Sequence, residues 1–201
     1  MTDKILAAML ALPLAHYPTG LDPETAEQRT ARFEVVAAAV ETVSREATCT
    51  TLDPVEGCTP WWPAAQRDEL AAMLVTLAWW ESKFVLRVHA GQCRNDECDA
   101  LKLSGGGVIH RARSLWQVQR NPRLVSRTEW VTLLGTSQEA TTTAARVAAR
   151  VLAGGRGRCA KGQERGWEAP AVASYATGSS CSWSKAPRRV AVYRRVLTGL
   201  R

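Results

Sequence analysis

The stretch Leu77-Ala78-Trp79-Trp80-Glu81-Ser82-Lys83-Phe84 sets a carboxylate into an apolar run. Leu70, Leu74, Leu77, Glu81 and Phe84 recur at helical spacing, so the acid lies on the stripe that should face the core. A carboxylate taken out of water must be hydrogen-bonded, paired or neutralised. Desolvation disfavours the charged form of such a group, and an acid that keeps its proton near neutral pH can donate it in a reaction. Read alone, the same residue also fits a boundary glutamate whose head reaches back to water.

Working outward, the helix that carries Glu81 is predicted from about Ala64 to Val85. Before it, Thr48 to Pro63 holds two cysteines, three prolines and the pair Trp61-Trp62, and reads as a stapled loop. Earlier still, a short apolar helix is expected over about residues 3–14, with a turn at Pro18-Thr19-Gly20. A longer helix starts at Asp22-Pro23 and ends near Glu46, with Phe33, Val36, Val40 and Val43 inward. After Glu81, Gly91 to Arg113 is a polar loop containing Gly105-Gly106-Gly107, and a small hairpin is conceivable over about residues 101–119. Thr128 to Leu134 reads as a short helix. Thr136 and Glu139 form a capping box opening a helix that Gly154-Gly155 should end, which leaves Cys159 in a loop. A helix containing Ala171 to Tyr175 precedes a turn at Gly178, and a last helix covers about Pro187 to Leu197. The class is mainly α. A chain of 201 residues can bury one good core, with residues 1–47 as an N-terminal helical extension and 48–201 as the main body.

Six cysteines fall naturally into three short-range pairs: Cys49 with Cys58, Cys93 with Cys98, and Cys159 with Cys181. Such bridges stabilise a chain by about 2–3 kcal/mol each and imply work outside the reducing cytoplasm. The competing reading is a metal site from His89, Cys93 and Cys98, but no fourth ligand is evident nearby, so no metal or cofactor is expected. No apolar run is long enough to cross a membrane, and Ile5 to Leu12 makes a poor signal sequence because Asp3 precedes it and no small-residue cleavage site follows. A net charge of +7 points to an anionic partner or surface. The arginines at 188, 189, 194, 195 and 201, around Val190, Tyr193 and Leu197, read as a solvated helix face. No aromatic stacking platform accompanies them, which argues against a specific nucleic-acid partner.

Three separated segments give these features a common meaning. Glu81-Ser82, Ser114-Leu115-Trp116-Gln117 and Ala173-Ser174-Tyr175-Ala176-Thr177-Gly178 resemble, in that order, the Glu-Ser, Gly-Leu-Met-Gln and Ala-Tyr-Asn motifs of soluble lytic transglycosylases. The match covers about residues 65–180. Three positions depart from the family pattern: Ser114 stands for a glycine, Trp116 for a methionine and Ala176 for an asparagine.

The resemblance implies a lysozyme-like fold and cleavage of the MurNAc-GlcNAc β-1,4 bond of peptidoglycan by a monomer. Glu81 would be the general acid and then the base. Ser82, Gln117, Trp116 and Tyr175 would bind or orient substrate, Trp116 as an aromatic platform if it does not instead fill the core. It also implies an extracytoplasmic enzyme: virion-associated, released by lysis, or secreted to the periplasm or beyond. Two alternatives stay open. A hydrolase would need a second carboxylate, for which Asp96, Glu97 and Asp99 are candidates. A non-catalytic wall-binding virion protein would keep the fold without the chemistry.

Overall fold

The computed structural model describes residues 1–13, 24–50, 58–93, 98, 100–102, 104, 108–119, 121, 123–161, 163 and 165–201. Among the described residues eight α-helices dominate: α1 (Thr2–Leu10), α2 (Ala26–Thr48), α3 (Arg67–Ser82), α4 (Leu86–His89), α5 (Arg127–Thr132), α6 (Gln138–Ala160), α7 (Glu168–Thr177) and α8 (Ala186–Leu200). Two small antiparallel hairpins lie between α4 and α5. In the first, β1 (Ala100–Lys102) pairs with β2 (Val108–His110), placing Leu101 opposite Ile109. In the second, β3 (Ala112–Arg113) pairs with β4 (Val118–Gln119) around the turn 114–117.

The centre of the molecule is α3. Every residue from Leu70 to Ala78 is buried, so the helix is enclosed on all sides by α1, α2, α6 and α8 rather than showing one apolar stripe. Glu81 sits in its last turn, where the helix leaves the core. A 3₁₀ turn over Ala64–Gln66 leads in, and the Trp62 indole donates to the Gln66 carbonyl at 3.2 Å. The expected N-terminal extension is integral to the same core: Ile5 and Met9 are fully buried, and the Lys4 ammonium donates to the carbonyls of Leu200 and Arg201 at 3.1 and 3.2 Å.

Local chemistry moved several helix boundaries. Helix α2 starts with a capping box in which Thr25 and Gln28 serve each other's backbone, whereas Asp22 and Pro23 lie outside the described residues. Ser137, not Thr136, caps α6, accepting from the Ala140 amide at 3.2 Å. The Gly154-Gly155 pair does not end α6, which continues to Ala160. Gly155 is there for contact: a Cβ at that position would come within 2.9 Å of the Ser174 hydroxyl and 3.3 Å of the Ala171 carbonyl, so its absence lets α6 and α7 pack closely. Cys159 therefore lies on a helix.

All three expected disulfides are present, with Cα separations of 6.0 Å for Cys49–Cys58, 5.8 Å for Cys93–Cys98 and 5.2 Å for Cys159–Cys181. The second removes the metal alternative based on Cys93 and Cys98. The first pins the end of α2 to the segment before α3. The third ties the end of α6 to the segment between α7 and α8. No helix among the described residues is long and apolar enough to cross a membrane.

Candidate functional site

Glu81 is presented by a strained turn. Lys83 and Phe84, the residues after α3, both adopt left-handed backbone with φ of 52° and 57°, a conformation that costs a non-glycine residue roughly 1–3 kcal/mol. Several contacts hold it. The Ser82 hydroxyl donates to the Ala78 carbonyl at 2.6 Å and accepts from the Phe84 amide at 3.2 Å. The Phe84 ring packs on Phe33 at 5.0 Å between centroids, and the Phe84 carbonyl accepts from Arg32 Nη2 at 2.8 Å. Arg32 is in turn clamped by Glu24 through two bonds of 2.6 and 2.7 Å, with both side chains buried. Ser82 is thus buried and fixes the backbone beside the acid; it does not line the cleft.

The carboxylate of Glu81 is not alone. Arg189 on α8 donates from Nη1 to Oε1, and the side chains are 6% exposed for Arg189 and 19% for Glu81, so the acid stays reachable while the guanidinium is shut in. Arg189 lies 4.6 Å from the centroid of the Trp183 ring and 5.5 Å from that of Trp80. Lys83 stacks on Trp79 at 3.3 Å and faces Trp80 at 4.7 Å. Burial, and then the charge of Arg189, lower the Lys83 pKa against the opposing pull of Glu81. The basic C-terminal helix is therefore not a uniformly solvated face. Arg189 shares the inward stripe of α8 with Tyr193, Val196 and Leu200, a spacing legible in the sequence beneath the charge.

A cleft of about 960 Å³ opens beside Glu81, and Gln117 and Tyr175 line it too. Gln117 ends the turn between β3 and β4, where its amide nitrogen donates to the Ser114 carbonyl at 3.1 Å. Tyr175, on α7, donates its hydroxyl to the Trp116 carbonyl at 2.7 Å and so fastens α7 to that turn. Burial, reinforced by the nearby Glu81 charge, holds the Tyr175 pKa well above its ordinary value, so the phenol stays protonated. Its oxygen retains the capacity to accept a hydrogen bond.

Trp116 is elsewhere. Its side chain is fully buried and its indole donates to the Leu74 carbonyl at 2.9 Å, in the middle of α3. The expectation of a sugar platform is corrected: an aromatic at the tip of this turn points into the core, where Leu115 is also buried. Asp96, Glu97, Asp99 and Gly105-Gly106-Gly107 lie outside the described residues. His89, the third member of the discarded metal set, is buried against α6. The Thr141 hydroxyl gives its proton to the Ser137 carbonyl, so His89 Nε2 must donate to Thr141 at 2.9 Å.

No protein-family model, curated protein or solved structure matches this chain. In the cleft the Glu81 carboxylate, the Gln117 amide and the Tyr175 phenol converge, with a buried cation behind the carboxylate.

Proposed function

We propose that the chain is a lysozyme-like lytic transglycosylase that cleaves the MurNAc-GlcNAc bond of peptidoglycan, with Glu81 as acid and base. The observation that carries this reading is convergence: Glu81, Gln117 and Tyr175, one from each of three motifs far apart in sequence, line one cleft. Ser114 adds support. It stands where the family motif has glycine, and its φ of 65° is the left-handed backbone that glycine favours.

In this reading Glu81 protonates the bridging oxygen as the glycosidic bond breaks, and the sugar's own acetamido group stabilises the oxocarbenium-like centre. Glu81, now ionised, takes the proton from the sugar 6-hydroxyl as that oxygen closes on the anomeric carbon, leaving a 1,6-anhydro end. Tyr175 holds the 114–117 turn against α7, and Gln117 offers its amide to the strand. Arg189 bears on the first step: it contacts Oε1, which leaves Oε2 as the oxygen that carries the proton to the substrate. Three disulfides suit work outside a reducing cytoplasm, whether the protein is secreted, carried on a virion or released by lysis.

The Arg189 contact favours a second reading, a wall-binding protein without catalysis. An acid matched by its own buried cation needs no reaction to explain its place in the fold. Incubation of purified walls with the chain separates the two readings. Loss of turbidity with wild-type protein, abolished in Glu81→Gln, is the expected result; co-sedimentation with intact walls would support the binding protein.

A further inference from the structure

One disulfide belongs to the cleft itself. Cys98, bonded to Cys93, is buried and is one of the residues that line it. Gln117, half-buried and held in left-handed backbone with a φ of 49°, turns its side-chain nitrogen to that sulfur. Nε2 donates to Cys98 Sγ at 3.2 Å and to the Ser114 carbonyl at 3.1 Å. A primary amide has two N–H bonds, so both of its protons are in use.

Chemistry excludes the reversed amide. A carbonyl oxygen only accepts, and a disulfide sulfur has no proton to give. Turning the side chain over would set Oε1 against two groups that cannot donate to it and would strip both of their donor. Oε1 is therefore the free end of a residue that lines the cleft, and it carries no hydrogen bond among the described residues. Tyr175 is polarised in the same sense: its hydroxyl proton goes to the Trp116 carbonyl at 2.7 Å, which leaves its oxygen as an acceptor.

We propose that the Cys93–Cys98 disulfide is a positioning element of this site: with the Ser114 carbonyl it holds both amide protons of Gln117, so that Gln117 reads its ligand through Oε1 and selects a hydrogen-bond donor there. Cys98 lies outside the three motifs, which supply a glutamine but not the end of it that faces the ligand. The choice of ligand rests on reading the cleft as a glycan site, whereas the polarity of the amide rests on the protein alone. A strand of N-acetylated sugars carries hydroxyl and amide N–H donors along its length. A phosphodiester backbone offers acceptors alone and finds no partner at Gln117.

Two measurements test this. In the nuclear magnetic resonance spectrum of the unsubstituted protein, the Gln117 side-chain amide is assigned by its loss in Gln117→Leu. Its protons should exchange with solvent about tenfold more slowly than those of the exposed Gln28, whose oxygen alone is bonded, and should speed up in Cys93→Ala/Cys98→Ala. Exchange as fast as that of Gln28, or a rate unchanged in a folded alanine pair, overturns the proposal; the unsubstituted protein decides even where the pair fails to fold. The second measurement is binding of a wall tetrasaccharide of alternating N-acetylglucosamine and N-acetylmuramic acid to the uncleaving Glu81→Gln protein. The alanine pair and Gln117→Leu should each weaken it about two- to tenfold, and together no more than the larger single loss. Losses that multiply would mean that the disulfide does not act through Gln117, and would overturn the proposal while leaving the glycan reading standing. Failure of the tetrasaccharide to bind at all, with slow exchange intact, overturns the glycan reading and leaves the polarity of Gln117 standing.

Discussion

Arg189 on α8 donates directly to the Glu81 carboxylate at the end of α3, from a position closed to solvent between Trp80 and Trp183. This pair joins the last helix of the chain to the central one at the point where the candidate chemistry sits. Arg189→Met removes the counter-charge but keeps the stem, and should cost about 1–3 kcal/mol, between the values for exposed and buried pairs. Combining it with Glu81→Gln should cost less than the sum of the single changes. Denaturant titration of the four proteins gives the coupling; strictly additive effects would mean that the contact stores no interaction energy.

Trp116 fills the core, so Trp116→Ala should destabilise by about 3–5 kcal/mol. Trp116→Phe keeps most of the volume but removes the indole bond to the Leu74 carbonyl, which keeps its helical partner, at about 0.5–1.5 kcal/mol. Melting curves alongside wall-lysis rates check the placement. A fully stable Trp116→Ala protein with impaired lysis would return this residue to the cleft.

Two glycines of α6 should respond in opposite directions. Gly155→Ala drives a methyl group into Ser174 and Ala171 and should cost about 1–3 kcal/mol. A methyl group added at Gly157 would meet nothing within 4 Å, so Gly157→Ala should gain up to about 1 kcal/mol from helix propensity. Equal effects at both sites would contradict the close packing of α6 on α7.

His89 makes stability depend on pH. Burial, followed by the charge of Arg32, lowers its pKa from 6.5 to about 3, and Nδ1 has no partner among the described residues. The unfolded chain therefore binds the proton more readily. This group's contribution is fully present above about pH 6.5 and is lost as pH falls towards about 3, on the order of a few kcal/mol over the whole interval. Glu27, Glu41 and Glu129, whose pKa values are lowered from 4.5, act in the same direction but below that value. The window from about pH 5 to 6.5 thus isolates the histidine. Denaturation free energies measured there should slope upward with pH in the native protein and flatten in His89→Gln; identical slopes would remove His89 as the source.

The helices other than α4 were legible from their apolar residues and end signals, and the disulfide pairing because each partner lies close in sequence. Boundaries were less so. Gly154-Gly155 looks like a stop signal until the neighbouring helix is known, since a glycine chosen for close approach has the same letter as one chosen for a turn. Glu81, Gln117 and Tyr175 were legible through motif order, and the structure brings them to one cleft. Trp116 was ambiguous because a turn residue can face either way. Arg189 and the contact of Arg32 with the Phe84 carbonyl were missed: each depends on a partner far along the chain, and charge alone reads as solvated surface.

Mass spectrometry of soluble fragments from purified peptidoglycan, digested by wild-type protein and by Glu81→Gln, tests the central claim most directly. The expected wild-type products end in 1,6-anhydro sugars, and the variant should release them about 10²–10⁴ times more slowly. Fragments with reducing ends, undiminished release by the variant, or intact walls after exposure to the wild type would contradict it.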